Sequence, residues 1–132
     1  MKYILLMNSM RAGSGGLETW SDEAAAAHIA YWTALNTDLA KRGEFVGVEA
    51  LTGPGQAVEV RADKHGLPVT DGVFPETKEM LAGFWVVDVE TPERAYAIAA
   101  HASAAPGPEG APLNMPIEVR QVMTSIRPED LL

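Results

Sequence analysis

The sequence predicts a single α+β domain in which two strand–helix–strand units share one sheet. Three observations carry this. Two apolar runs without helical spacing, Lys2 to Asn8 and Leu81 to Glu90, read as central strands. Each is followed by a segment with helical period and cap residues at its start. Each helical segment is followed in turn by strict apolar–polar alternation, the mark of a half-buried strand. At 132 residues the chain suits one domain, set at 1–126 with a tail at 127–132.

The first strand, K-Y-I-L-L-M-N, leads into Ser9 to Gly16, which holds three glycines and two serines and predicts a loop. Its glycine spacing fits neither the P-loop nor the dinucleotide fingerprint, so it reads as a mobile lip and not as a phosphate cradle. Ser21 to Arg42 predicts a helix. Ser21 is a good N-cap, Asp22 and Glu23 sit at the positive dipole end, and Lys41 and Arg42 sit at the other. Gly43 supplies the left-handed residue after the last turn. Ala25, His28, Trp32, Leu35 and Leu39 recur at steps of three and four, which makes one core-facing stripe.

Glu44 to Leu51 alternates, with Val46, Val48 and Ala50 on one face and Phe45, Gly47, Glu49 and Leu51 on the other. Thr52-Gly53-Pro54-Gly55 is a turn, and Gln56 to Ala62 alternates again. Together they predict a hairpin. Asp63 to Gly66 is a second turn, and Leu67 to Thr70 a short strand. That strand enters Val69 to Glu79 (V-T-D-G-V-F-P-E-T-K-E), the crossover between the two halves.

In the second half, Thr91-Pro92-Glu93 combines cap, first-turn proline and first-turn acid. Ala95, Ile98, Ala99 and Ala102 give that helix an apolar side, and it should end before Pro106. Pro106 to Pro116 holds four prolines and two glycines and must be a loop. Ile117 to Thr124 alternates as a final strand. The acidic tail ends in two leucines and is expected to order only by docking. This order is the split βαβ, ferredoxin-like arrangement, with both helices on one face of the sheet. The other face needs cover, and a second copy of the chain is the simplest cover, so a homodimer with sheets face to face is expected.

Composition narrows function. Eighteen acids against ten bases give a formal net charge of -8, which repels nucleic-acid backbones and anionic membranes. The absence of cysteine removes disulfides, thiolate metal sites and cysteine nucleophiles. No apolar run approaches the ~20 residues that span a bilayer, and the expected location is cytoplasmic.

His28 is the leading chemical candidate. A histidine on a buried stripe is more often a core residue than a catalyst, but an imidazole changes charge near neutral pH and suits general acid–base work. Its expected partners are carboxylates: Asp71, which as Asp-Gly also suits a turn, and Glu49, which sits on a strand face beside apolar neighbours. Either could fix the imidazole tautomer. Lys78 could anchor an anionic ligand, although Glu76, Lys78 and Glu79 also read as a solvated charge run. His28, His65 and His101 lack metal-site spacing, so no metal is expected. Trp20, Trp32 and Trp85 read as core or interface.

D-G-V-F-P-E-T-K-E, followed by L-A-G-F-W-V-V-D-V, resembles the signature of the DGPF branch of the YCII-related family. The N-terminal K-Y-I-L-L-M, the helix with His28 and the closing I-E-V-R-Q-V-M occur there in the same order. The resemblance implies a dimeric α+β barrel and a cleft between helix and sheet that carries a histidine and an acidic partner. His28 and Asp71 match those two positions, with Glu49, Phe74 and Lys78 as candidate ligand contacts. Members of this branch are often encoded near, or fused to, extracytoplasmic-function sigma factors, which implies a sigma-factor association; the acid–base reading itself calls for no redox cofactor. Val73 stands where the family has proline, Ala82 replaces the first of two glycines, Gln121 stands where proline is common, and the Pro106 to Pro116 loop is longer than usual. Three readings follow: a small acid–base enzyme using His28, a non-catalytic ligand-binding or regulatory dimer, and a purely structural dimer module.

Overall fold

The computed structural model describes residues 1–8, 17–72 and 80–132. In chain order the elements are β1 (Lys2–Asn8), α1 (Asp22–Lys41), β2 (Phe45–Ala50), β3 (Val58–Ala62), β4 (Pro68–Gly72), β5 (Leu81–Asp88), α2 (Pro92–Ser103) and β6 (Ile117–Gln121). Four strands form an open antiparallel sheet in the order β2-β5-β1-β6. Each strand–helix–strand unit is therefore split: β5 lies between β1 and β2, and β1 lies between β5 and β6. The fold is ferredoxin-like α+β, as the element order predicts.

Local chemistry sets the helix ends. Ser21 Oγ accepts the Ala24 N–H at 3.1 Å, and Gly43, at φ +72°, takes the left-handed position after α1. Thr91 Oγ1 accepts the Arg94 N–H at 3.2 Å, with Pro92 in the first turn of α2. The core lies between the helices and one sheet face. Leu5, Leu39, Trp85, Val87 and Ile98 are its fully buried members, and Ala95, Ala99 and Ala102 bring α2 close to the sheet.

Two strand expectations are corrected. β2 does not form a hairpin with β3: it pairs with β5, whereas β3 pairs with β4 in a separate two-stranded ribbon. Alternation specifies which face a side chain takes, not which strand lies alongside. Burial decides the partner here. Phe45 and Val48 pack on the core from β2, while Val58 and Val60 in β3 are about 60% exposed. A register shift between Phe45 and Gly47 is the second correction. It turns Phe45 and Val48 to the same side and leaves Val46 exposed, which breaks the expected grouping of Val46 with Val48.

On the helix-free face Ile4 opposes Val86 and Leu6 opposes Phe84, and all four are half-buried. The tail was expected to order only by docking. It closes locally instead, as a 3₁₀ turn over Pro128–Leu131 in which Asp130 Oδ2 accepts the Arg127 N–H at 2.8 Å. Among the described residues no helix is long and apolar enough to cross a membrane.

Candidate functional site

The α1 stripe brings His28 to the core, where it is 3% exposed and the only buried polar or charged side chain among the described residues. Its Nδ1 lies 2.9 Å from the carbonyl oxygen of Pro106. The Trp32 ring centroid is 4.1 Å away and that of Trp20 is 5.1 Å away, both edge-on. Residues 28, 31 and 32 share one helix face, and all three reach toward the end of α2. Tyr31 Oη donates to the His101 carbonyl at 2.8 Å, and Trp32 Nε1 donates to that of Ala102 at 3.1 Å. The same two carbonyls also accept the Ala104 and Ala105 N–H groups, at 3.2 and 3.4 Å, so these side chains add to a tightened last turn of α2 while docking α1 on it.

The bond to Pro106 decides the chemistry of the ring. A carbonyl oxygen only accepts, so Nδ1 carries a proton, and in the neutral ring Nε2 is the nitrogen with a free lone pair. Nε2 has no hydrogen-bond partner among the described residues. No fully buried side-chain nitrogen or oxygen there is left unpaired, so Nε2 is not an orphaned core atom.

The expected carboxylate partners lie elsewhere. Asp71 is exposed on β4, where it faces Glu59 across the ribbon and accepts the Gly72 N–H on Oδ1 at 2.9 Å. Glu49 is exposed on β2 opposite Phe84. Among the described residues no hydrogen bond or ion pair joins His28 to either. Phe74 and Lys78, with the rest of 73–79, lie outside the described residues, as does the 9–16 loop. Pro106, the residue that holds the ring, was not anticipated. A backbone carbonyl leaves no residue-type signal, and the only hint was a proline-rich loop directly after α2.

A surface groove opens at the α1–β2 and β5–α2 junctions, lined by residues that include Met1, Arg42, Glu44, Asp88 and Arg94. It does not include His28. Its charges are largely paired with one another: Arg94 bonds Glu44, and the Met1 amino group bonds Asp88 Oδ1 at 2.9 Å. The hydrogen bond from Arg94, aided by its charge, holds the Glu44 carboxyl below the usual carboxylate range against the opposing effect of burial. A groove whose charges are largely matched offers a ligand less than an imidazole nitrogen with no partner among the described residues, so the candidate site is placed at His28.

A family model described as the YCII-related domain matches residues 1–107. That stretch contains β1 to β5, both helices and the Pro106 carbonyl, and β6 lies beyond it. No curated protein matches the chain.

Proposed function

The chain belongs to the YCII-related family, and from that premise we propose that His28 exchanges a proton with a small cyclic or carbonyl-containing organic molecule through Nε2. One observation carries the proposal: Nδ1 is committed to Pro106 at 2.9 Å, while Nε2 has no hydrogen-bond partner among the described residues. A ring held on one nitrogen presents the other in a fixed direction, which general acid–base work requires. Trp20 and Trp32 supply apolar surface beside it. Asp71 and Glu49 face solvent and do not touch the ring in this arrangement, so neither is needed to fix its tautomer.

The test separates the two nitrogens. His28→Asn keeps an N–H where Nδ1 stood and removes Nε2. His28→Gln removes the nearer donor and extends toward the position of Nε2. A panel of cyclic and carbonyl compounds is screened for deuterium exchange at carbon and for binding. Exchange in the wild-type protein that vanishes in His28→Asn, at near-unchanged stability, supports the proposal. Binding without exchange assigns the same nitrogen to ligand sensing. No response in the wild type, or an equal response in His28→Asn, overturns the proposal.

The same reading includes a homodimer. Ile4, Leu6, Phe84 and Val86 form a half-covered apolar patch on the helix-free face, and a second sheet laid against it would complete the layered structure of a dimeric α+β barrel.

A further inference from the structure

The segment that presents the Pro106 carbonyl is more closely built than a proline-rich connector needs to be. Pro106 and Pro112 form an antiparallel bridge. The Gly107 N–H donates to the Ala111 carbonyl at 2.8 Å, the Gly110 N–H to that of Gly107 at 3.1 Å, and the Leu113 N–H to that of Ala105 at 2.9 Å. Gly110 turns the tip at φ +88°. Beyond the loop, Ser103 Oγ donates to the Met115 carbonyl and ties the returning chain to the end of α2. Ala105 and Gly107 are buried. A Cβ on Gly107 would stand 2.9 Å from Leu113 Cδ2 and 3.3 Å from its Cγ, so a side chain there would push Leu113 from the position in which it closes across the loop.

We propose that this closed loop, residues 105–113, is the positioning element for His28, and that packing of Leu113 on Gly107 sets the ring so that Nε2 is the free nitrogen. This rests on the proposed role of Nε2 and adds what fixes it. In most arrangements that orient a catalytic imidazole the second nitrogen is held by a carboxylate or by a main-chain carbonyl. Here it is a carbonyl, which accepts from N–H whether the ring is neutral or charged and does not itself titrate. The orientation therefore depends on loop geometry and on the Trp20 and Trp32 rings packed against the imidazole, and not on a second titrating group. Pro106 itself lies within the stretch that matches the family, while most of the loop that carries it lies past residue 107.

The test is ¹⁵N spectroscopy of the His28 ring in the full chain, without ligand. In the wild type the neutral ring is expected to carry its proton on Nδ1. Gly107→Ala, which drives a methyl group into Leu113, is expected to abolish the preference for that tautomer. Gly107→Ala combined with Leu113→Ala removes the collision and should restore it. Should Gly107→Ala fail to fold, Ser103→Ala releases the returning chain instead and should shift the ring the same way. A wild-type proton on Nε2, or a ring indistinguishable from wild type in the folded Gly107→Ala or Ser103→Ala chain, overturns the inference. These outcomes do not depend on the proton-exchange assay. An Nδ1–H ring with no ligand response removes the acid–base reading and leaves the positioning intact, and the reverse pattern does the opposite.

Discussion

Arg94 grips Glu44 through both carboxylate oxygens: Nε lies 2.9 Å from Oε2, and Nη2 lies 2.8 Å from Oε1. Glu44 sits just before β2, and Arg94 sits in the first turn of α2, so the fork joins the first strand–helix–strand unit to the second. Parallel two-point contacts of this kind are stronger than single ones and fix geometry as well.

The pair makes stability depend on pH in a defined direction. Glu44 binds its proton less readily folded than unfolded, because Arg94 favours the carboxylate. Its contribution is therefore complete above the unfolded value of about 4.3 and lost as pH falls through the lower folded value. With Arg94 about a third exposed, solvent screening limits the effect, and Glu44→Gln should cost about 1 kcal/mol at neutral pH. Urea unfolding at pH 7 and near pH 3 checks this: the gap between wild type and variant should shrink in acid.

Asn36 and Trp85 form a second long-range tie, with Trp85 Nε1 2.9 Å from Asn36 Oδ1. Trp85 is 2% exposed at the centre of the core, so its N–H has no alternative acceptor in water. Asn36→Leu should destabilise the protein by about 1–3 kcal/mol, the cost of an unpaired buried donor. Trp85→Phe in the same chain should recover part of that loss. An additive double variant in urea unfolding would show that the two side chains are not coupled.

Gly83 has no room for a side chain. A Cβ there would lie 2.7 Å from the Glu49 carbonyl oxygen, which is main chain and cannot swing aside. Gly83→Ala should cost about 1–3 kcal/mol through overpacking. The loss should appear first as faster hydrogen exchange at the β2–β5 rungs, since Gly83 is the residue opposite Ala50.

The helix-free face gives the oligomer prediction. Phe84→Lys with Val86→Lys puts two charges into the apolar patch and should convert a dimer to a monomer in sedimentation at micromolar concentration. A wild-type chain that sediments as a monomer at that concentration would remove the dimer from the proposed function.

The helices were the most legible part of the fold. Ser21 and Thr91 announce their own caps, Gly43 announces a stop, and the stripe from His28 to Leu39 announces its face, because each acts within one or two turns of itself. Strand partners were less legible. Val58 and Val60 alternate as cleanly as Val46 and Val48, yet of these four only Val48 packs on the core, a choice made by distant β5. The bulge after Phe45 had one mark, Gly47 inside F-V-G-V-E-A, since a glycine within a strand suits a bulge, but alternation alone does not show the slip. His28 was legible as buried and chemically capable. Its holder was not, because Pro106 contributes an oxygen that every residue type possesses.

The β3–β4 ribbon has a consequence of its own. All ten of its residues are exposed, so it contributes nothing to the buried core. Two strands without such support are marginal in water. The chain should therefore behave as a cooperative block with an appendage. Ribbon amides will exchange through local openings that leave the sheet intact, and a protease will cut there before it cuts anywhere in β1, β5 or α2. Asp71 travels with that appendage, so the order of its surroundings is set by whatever the ribbon meets and not by the domain that carries it.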